Sequence, residues 1–291
     1  RMKTPMGVGL GNFDGLHIGH MTLINTLINE SRFDGLKSMI YTFTKHPENI
    51  LRKKLFTPLL TTEKKKIELL EETLLDYLYF DKFDETFSRM SPEDFVKDVL
   101  VDRLNVKLAV AGFDYRFGYK GLGDTEMLGE MGEALGFKVI VIPPVKLQDE
   151  TASSTLIRNN VSKGNMEKVF KLLGRHYSIT GRVERGKRLG SEMGFPTANI
   201  HPEVYLILPH NGVYITKTSV NGVLHNSITN IGKIPTFEDN GPVRVETHLI
   251  DFNEDIYGKD IEVFFISKIR SEKKFKDAGE LKAQVMSDIE T

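Results

Sequence analysis

The stretch GNFDGLHIGH, residues 11–20, stands where an apolar run ends and a helix pattern begins. His17 and His20 are three residues apart, so at the start of a helix they share one face. The same helix N-terminus offers unpaired N–H groups that bind phosphate. Two imidazoles placed there can donate hydrogen bonds to a nucleoside triphosphate and stabilise an in-line attack at its α-phosphorus. The stretch therefore predicts a nucleotidyl-transfer site, in which Gly15 and Gly19 let the backbone approach the ligand.

A His-x-x-His pair by itself is more typical of two surface histidines in a glycine-rich turn. The Gly-x-Phe-Asp-Gly segment before the pair, the preceding apolar run and the following helix pattern favour the functional interpretation. The spacing excludes the dinucleotide-binding loop G-x-G-x-x-G. Its third glycine would fall at Asn12 when the motif is counted from Gly7, and at Asp14 when it is counted from Gly9. The phosphate-binding loop G-x-x-x-x-G-K-[ST] does not occur in the sequence either.

Around this stretch, residues 1–174 alternate short apolar runs with helical periodicity, which is typical of βαβ units. Ser91 and Pro92 give one helix an N-cap and a proline at its first position. We predict an α/β domain with a doubly wound, Rossmann-like parallel sheet and ligands beyond the carboxyl ends of its strands. The predicted strands are Gly7 to Gly11, Ser38 to Phe43, Tyr77 to Phe80, Val106 to Ala111 and Val139 to Ile142.

Residues 175–291 have a different pattern, in which apolar runs are separated by turn residues rather than by helices. Asn221-Gly222 between two alternating runs is a strong hairpin signal. We predict a second domain, an antiparallel β-barrel with a closing helix from Gly279 to Ile289, and a helix from Asn165 to Leu173 that joins the halves. The predicted strands are Tyr177 to Val183, Gly212 to Val220, Val223 to Ile231, Val243 to Phe252 and Ile261 to Ile269.

The composition agrees with two globular domains, because 291 residues exceed one average domain and 40% of them are apolar. A net charge of −1 argues against a nucleic-acid partner and favours a small anionic one. The sequence contains no cysteine, which excludes disulfides and thiolate chemistry. With no long apolar run, we expect a soluble cytoplasmic protein without a membrane partner, and the sequence leaves a homo-oligomer open.

The cluster SSTLIR, residues 153–158, follows the fifth strand and opens a helix. Ser153, Ser154, Thr155 and Arg158 suit a phosphate clamp, although an ordinary N-cap with a solvated arginine explains them as well. Loops at 43–47 and 112–118 follow the second and fourth strands on the ligand-facing edge. In the latter, Asp114 and Phe117 can bind a flat ring, or they are a turn aspartate and a core aromatic. The run Lys64-Lys65-Lys66 is most simply a solvated helix face.

In the C-terminal half, residues 186–199 combine three glycines spaced by four with two candidate metal ligands. Gly186, Lys187, Gly190 and Gly194 can wrap the phosphates of a nucleotide. Thr197 and Asn199 lie on one side of an extended chain and suit Mg²⁺ carried on ATP, whereas the alternative is a glycine-rich hairpin loop that leads into a barrel strand. Glu246 shares a strand face with His248 and suits a general base, or it forms a salt bridge, for instance with Arg244 or Arg270.

These residues together resemble the bacterial bifunctional riboflavin kinase/FMN adenylyltransferase family over essentially the full length. The resemblance implies a His-x-Gly-His nucleotidyltransferase fold in the first domain and two activities. Riboflavin and ATP give FMN and ADP in the C-terminal domain, and FMN and ATP give FAD and pyrophosphate in the N-terminal domain. The segments that carry it are GNFDGLHIGH, TFTKHP, GFDYRFG, SSTLIR, GFPTAN, NIGKIPTF, VETHLIDFNEDIYG and IRSEKKF.

The resemblance also implies roles for single residues, with Mg²⁺ as cofactor and ATP as co-substrate. The catalytic residues are His17, His20 and Glu246, and the metal ligands are Thr197 and Asn199. The adenylyl donor is held by Gly11, Phe13, Asp14, Gly15, Ser153, Ser154, Thr155 and Arg158. The flavin is held by His46, Asp114 and Phe117, and the nucleotide of the kinase by Gly186, Lys187, Gly190 and Gly194.

The segment TFTKHP, residues 42–47, departs from the family pattern, because Thr44 and Lys45 stand where an acid and a proline are usual. This difference motivates a second hypothesis, that only one half of the chain turns over. A third hypothesis is a flavin-binding regulator or RNA-binding module built on the same scaffold. The intact histidine, Ser-Ser-Thr and Gly-Phe-Pro-Thr-Ala-Asn motifs argue against that third hypothesis.

Overall fold

A computed structural model describes residues 2–44, 49, 57–184, 195–202, 205–233, 243–273 and 275–290. The chain divides into two compact units, Arg1–Ser154 and Thr155–Thr291. The domain limits expected from the sequence, 1–174 and 175–291, stay a prediction. Within the described stretches, no helix is both long and apolar enough to cross a membrane.

The first unit alternates strands and helices as the sequence predicts. Its strands are β1 (Met6–Leu10), β2 (Lys37–Phe43), β3 (Tyr77–Asp81), β4 (Val106–Gly112), β5 (Lys138–Ile142), β6 (Lys146–Leu147) and β7 (Glu150–Thr151). Its helices are α1 (Ile18–Phe33), α2 (Glu63–Glu71), α3 (Glu85–Ser88), α4 (Pro92–Asp94), a π-helical stretch (Phe95–Arg103), a 3₁₀ turn (Tyr119–Gly121) and α5 (Thr125–Leu135). The short hairpin of β6 and β7 was not predicted.

Five parallel strands form the sheet of the first unit, in the order β3-β2-β1-β4-β5. The prediction of a doubly wound parallel sheet is therefore confirmed. The strand order reverses at β1, whose neighbours β2 and β4 lie on opposite sides of it. In such sheets ligands bind beyond the carboxyl ends of the strands at this point, which is where residues 11–20 begin.

Helix α1 packs against β1 closely because Gly9 has no side chain. A Cβ built on Gly9 would lie 2.7 Å from Ile40 Cδ1 and 3.1 Å from side-chain carbons of Leu23 and Leu27. The opposite face of the sheet is covered by the π-helical stretch that follows α4. Ser91 caps α4 through its Oγ, which accepts from the N–H of Asp94, so the predicted helix start is confirmed.

The described residues of the second unit form three helices and a closed antiparallel barrel in the order β10-β11-β12-β9-β8-β13. Its helices are α6 (Ser154–Val161), α7 (Met166–Leu173) and α8 (Ala278–Ile289). Its strands are β8 (Tyr177–Glu184), β9 (Ala198–Pro202), β10 (Gly212–Val220), β11 (Val223–Lys233), β12 (Val243–Leu249) and β13 (Asp260–Arg270). The predicted barrel with a closing helix is confirmed.

Two details of the barrel correct the sequence prediction. The run expected to extend to Phe252 ends at Leu249, because Asp251 turns the chain with a left-handed φ of 55°. Strand β9 was not among the predicted runs, although the alternative considered for residues 186–199 expected a barrel strand after the glycine-rich loop. The hairpin at Asn221-Gly222 is confirmed, with φ values of 50° and 83° that suit a type I′ turn.

An ion pair between Arg270 and Asp288 connects helix α8 to the last barrel strand. The Arg270 guanidinium donates to both carboxylate oxygens of Asp288, with Nε–Oδ1 at 3.0 Å and Nη2–Oδ2 at 2.7 Å. Gln284 Nε2 donates to the same carboxylate at 3.0 Å. Arg270 is thus engaged with α8, and it is not the partner of Glu246 that the sequence analysis considered.

Candidate active sites

The loop between β1 and α1 turns sharply at residues in the left-handed region. Phe13, Gly15 and Leu16 have φ values of 50°, 85° and 43°. For Phe13 and Leu16 this conformation costs about 1–3 kcal/mol each, so the surroundings must enforce it. Both side chains are buried in the core below α1, which gives part of that enforcement. The loop between β1 and α1 therefore has one defined conformation up to the start of the helix.

His17 and His20 are brought together as predicted. His17 is the N-cap of α1, and its Nδ1 accepts a hydrogen bond from the backbone N–H of His20 at 3.3 Å. The two rings stack with centroids 3.7 Å apart and planes inclined by 20°. Because Nδ1 of His17 acts as an acceptor, the proton of the neutral ring is on Nε2. The pair thus offers an Nε2–H donor beside the N-terminus of α1.

Gly19 leaves the space that the His17 ring fills. A Cβ at this position would lie 3.1 Å from both Cε1 and Nδ1 of His17, which is tighter than ordinary contact. Gly15 has a positive φ, as noted above, and its N–H donates to Thr61 Oγ1 at 3.1 Å. The two glycines therefore shape the loop around the imidazoles, and their approach to a ligand stays a prediction.

Asp14 is turned into the protein, where it is 3% exposed. Its Oδ1 accepts hydrogen bonds from the N–H groups of Leu60 at 3.0 Å and Thr61 at 3.2 Å. Phe13 is fully buried, and a Cβ on Gly11 would lie 3.2 Å from the Phe13 ring. Through these contacts Phe13 and Asp14 hold the loop in its shape. The direct nucleotide contacts expected of Gly11, Phe13 and Asp14 stay predictions.

The Ser-Ser-Thr cluster begins at the same loop. Ser154 Oγ donates to the carbonyl of Asp14 at 2.8 Å, so this serine is brought to residues 11–20 as predicted. Helix α6 starts at Ser154, and its residues Thr155 and Arg158 belong to the second compact unit. The phosphate-binding roles of Ser153, Ser154, Thr155 and Arg158 stay predictions.

Lys66 corrects the prediction for the lysine run, because it is not on a solvated helix face. It is 8% exposed, and its Nζ donates to the carbonyl of Asn12 at 2.8 Å. Burial lowers the pKa of this ammonium, while the nearby carboxylates of Asp14 and Glu63 oppose that shift. Lys66 also lines an open pocket at the ends of β1, β2 and β3. The other lining residues are Asn12, Asp14, Phe43, Thr44, Leu59, Thr61, Glu63 and Phe80.

Two of the three residues expected to hold the flavin lie in the described part of the chain, in different surroundings. Asp114 is exposed in the turn after β4, where it can accept hydrogen bonds from a ligand. Phe117 is 5% exposed and its ring packs between Phe95 and Tyr115, with centroid distances of 5.6 and 5.7 Å. The core position matches the alternative considered for Phe117, and stacking on a flavin stays a prediction. His46 lies outside the described residues.

In the barrel, Glu246 and Asn199 are directly paired across β12 and β9. Residues opposite each other in a ladder have their side chains on the same face, so the carboxylate and the amide are neighbours. Thr197 precedes β9 by one residue, on the same side as Asn199 by alternation. Glu246 Oε1 accepts from Arg244 Nη1 at 3.1 Å, which is the salt bridge considered from the sequence. Both side chains remain partly exposed, at 28% and 30%.

His248 is a residue of this face whose contacts the sequence did not reveal. Its Nδ1 lies 2.9 Å from the carbonyl of Pro196, and its ring meets that of Phe195 edge-on at 5.6 Å. His248 therefore holds the segment that leads into Thr197 and Asn199. The predicted phosphate flap, with Gly186, Lys187, Gly190 and Gly194, lies outside the described residues.

Oxygen donors of this kind fit Mg²⁺. The Asn199 amide and the Thr197 hydroxyl offer the hard oxygen ligands that this ion prefers. Mg²⁺ is usually bound by one or two protein groups together with substrate phosphates, so the set is sufficient for an ion that arrives on ATP.

Comparison with known proteins matches a protein family to each half of the chain. A family model described as FAD synthetase matches residues 2–156, and one described as riboflavin kinase matches residues 173–291. The crystal structure of a protein described as a macrolide-efflux protein from Streptococcus pneumoniae is similar over the whole chain. It covers 100% of this chain and 94% of its own, with a TM-score of 0.91 and 30% identity.

Curated relatives are similar over nearly the whole of both chains, and each is named a bifunctional riboflavin kinase/FMN adenylyltransferase. The one from Bacillus subtilis is 37% identical, covering 97% of this chain and 89% of the relative. The one from Buchnera aphidicola subsp. Schizaphis graminum is 36% identical, covering 100% and 94%. With the paired histidines at the start of α1 and the Glu246 face of the barrel, these matches mean that the chain belongs to the bifunctional riboflavin kinase/FMN adenylyltransferase family.

Proposed function

We propose that this chain makes FMN from riboflavin in its barrel and FAD from FMN in its N-terminal sheet domain, with ATP as co-substrate in both reactions. The observation that carries the proposal is the stacked imidazole pair at the start of α1, in which His17 Nδ1 is engaged by the His20 N–H at 3.3 Å. A donor at Nε2 beside a helix N-terminus suits an anionic phosphate, and both family models support the wider assignment.

In the N-terminal domain, a phosphate oxygen of FMN attacks the α-phosphorus of ATP. The bond between the α-phosphorus and the bridging oxygen breaks, and pyrophosphate leaves. Negative charge accumulates on the α-phosphate oxygens during this displacement, and His17 and His20 stabilise it by donating hydrogen bonds. No side-chain nucleophile takes part, so the protein acts by positioning and by electrostatic stabilisation.

In the barrel, the terminal ribityl hydroxyl of riboflavin attacks the γ-phosphorus of ATP. Glu246 accepts the hydroxyl proton, and ADP leaves. Thr197 and Asn199 would hold Mg²⁺, which when bound neutralises charge on the phosphates of ATP. Arg244, at 3.1 Å from Glu246, holds the carboxylate in place while leaving its second oxygen for the substrate.

Two reactions at different phosphorus atoms of ATP are the reason for two sites. Attack at the α-phosphorus expels pyrophosphate and attack at the γ-phosphorus expels ADP, so one phosphate-binding geometry cannot serve both.

Position-labelled ATP tests the proposal directly. With riboflavin as substrate, label at the γ-phosphorus should enter FMN, whereas label at the α-phosphorus should enter FAD only. With FMN as substrate, γ-label should leave as pyrophosphate and never appear in a flavin. Label from the α-phosphorus in FMN, or none in FAD, would contradict the assignment.

A further inference from the structure

Residues 60–66 lead into α2 and are hydrogen-bonded to Asn12, Asp14 and Gly15 of the histidine loop, residues 11–17. Lys66 Nζ donates to the Asn12 carbonyl at 2.8 Å. Leu60 N–H donates to the Asp14 carboxylate at 3.0 Å, and Thr61 Oγ1 accepts from the Gly15 N–H at 3.1 Å. These bonds connect residues that are 46 to 54 positions apart in the sequence. The loop shape is thus set from outside the loop.

Lys66 differs from its neighbours in the lysine run. Lys64 is exposed and Lys65 pairs with Glu68, whereas Lys66 is buried with its ammonium against a backbone carbonyl. Burying an ammonium is unfavourable unless it is hydrogen-bonded and opposed by negative charge. The carbonyl of Asn12 supplies the first condition and the buried Asp14 carboxylate supplies the second. The Lys66 Nζ is therefore held inside the unit at the point where the loop begins.

Asn12 is the residue through which this contact acts on the site. Its carbonyl accepts from both Lys66 Nζ and Thr42 Oγ1, the latter at 3.2 Å. The left-handed residues Phe13, Gly15 and Leu16 follow at once, and the loop ends at the N-cap His17. A shift of the Asn12 peptide is transmitted along this short, tightly constrained segment to the imidazoles.

We infer that Lys66 is a positioning residue for adenylyl transfer, whose ammonium fixes the Asn12 carbonyl and thereby the placement of His17 and His20. The inference rests on the proposed function and adds a residue to it. The ammonium contacts the Asn12 carbonyl, so the role assigned to Lys66 is to hold the loop. A misplacement of catalytic groups by about 1 Å lowers rates by up to about 100-fold, which makes the effect measurable.

The test compares Lys66→Met, which keeps the volume of the stem, with Lys66→Arg, which keeps a cationic donor. The exposed Lys64→Met is the matched control. FAD formation from FMN and FMN formation from riboflavin are measured on each purified full chain, together with thermal unfolding. We expect Lys66→Met to lower kcat for FAD formation at least tenfold with a KM for ATP within about threefold, and Lys66→Arg to recover most of it. FMN formation should be equal in all four proteins.

A role in packing alone predicts the opposite order, because Met fits the buried site better than the larger Arg. The inference is wrong if Lys66→Met keeps its FAD-forming kcat, or if Lys66→Arg is no better than Lys66→Met. If Lys66→Met does not fold, Lys66→Gln decides, since its shorter neutral side chain removes the ammonium from the Asn12 carbonyl. A folded Lys66→Gln with full kcat would overturn the inference. A wild-type chain that makes no FAD would instead refute the proposed function.

Discussion

His17 Nδ1 accepts a hydrogen bond from the backbone N–H of His20 at 3.3 Å, and the two rings stack with their centroids 3.7 Å apart. One histidine thus caps the helix on which the other stands. The capping bond assigns the ring nitrogens of His17, because the acceptor must be Nδ1 and the remaining proton must be on Nε2. The same contact therefore stabilises the start of α1 and orients a donor for an anionic ligand.

Replacing His20 by alanine should abolish FAD formation and leave FMN formation unchanged. Removal of one donor to a charged transition state typically costs about 100- to 1,000-fold in kcat. The comparison is made by chromatography of flavins after incubation of FMN or riboflavin with ATP and Mg²⁺. An equal loss of both activities would contradict separate sites.

The change Glu246→Gln should have the reverse effect. It keeps the size of the side chain but cannot accept a proton, so FMN formation should fall by about 100- to 10,000-fold while FAD formation from supplied FMN persists. The salt bridge with Arg244 is partly exposed, so its loss should change the free energy of unfolding by less than about 1 kcal/mol. The exposed Glu167→Gln is the control, and a kinase that survives Glu246→Gln would exclude a base at this position.

The substitution Gly19→Ala should weaken FAD formation by about tenfold, because its Cβ would lie 3.1 Å from the His17 ring and displace it. Gly129 in α5 is a matched control, since a Cβ there meets nothing within 4 Å. Gly129→Ala should leave both activities intact and raise the free energy of unfolding by about 0.5–1 kcal/mol. Steady-state kinetics and denaturant unfolding measure the two effects, and equal kinetics for both variants would be evidence against the crowding argument.

Asp288→Asn should loosen helix α8 from the barrel. The Asp288 side chain is 3% exposed and pairs with Arg270, so removing its charge leaves a poorly compensated guanidinium. Breaking a buried ion pair on one side costs about 3–5 kcal/mol, and the remaining 20% exposure of Arg270 places the expected loss toward the lower end. Amide hydrogen exchange of residues 278–289 measures how far the helix is loosened. Unchanged protection of this helix would mean that the ion pair does not hold it.

The sequence predicted the elements whose signals are local. Short apolar runs identified all five strands of the parallel sheet, and Asn221-Gly222 identified the hairpin, because its residues tolerate positive φ. The histidine pair was identified for a similar reason, since three-residue spacing at a helix start already places two side chains together.

Contacts between distant segments could not be predicted in this way. Nothing in the run Lys64-Lys65-Lys66 tells which lysine faces inward, because this depends on how α2 packs beside Asn12. Strand β9 has only two apolar residues before its proline, which is too few for a distinct apolar run, and it is defined by its pairing with β12 and β8. The burial of Phe117 likewise follows from the packing of Phe95 and Tyr115 around it.

A chromatogram of the flavins that the wild-type chain forms from riboflavin, ATP and Mg²⁺ tests the central claim most directly. The account predicts that FMN appears first and FAD follows, with release of pyrophosphate in step with FAD. FMN that accumulates without any FAD, or a flavin that binds tightly and is never converted, would contradict an adenylyl-transfer site at His17 and His20.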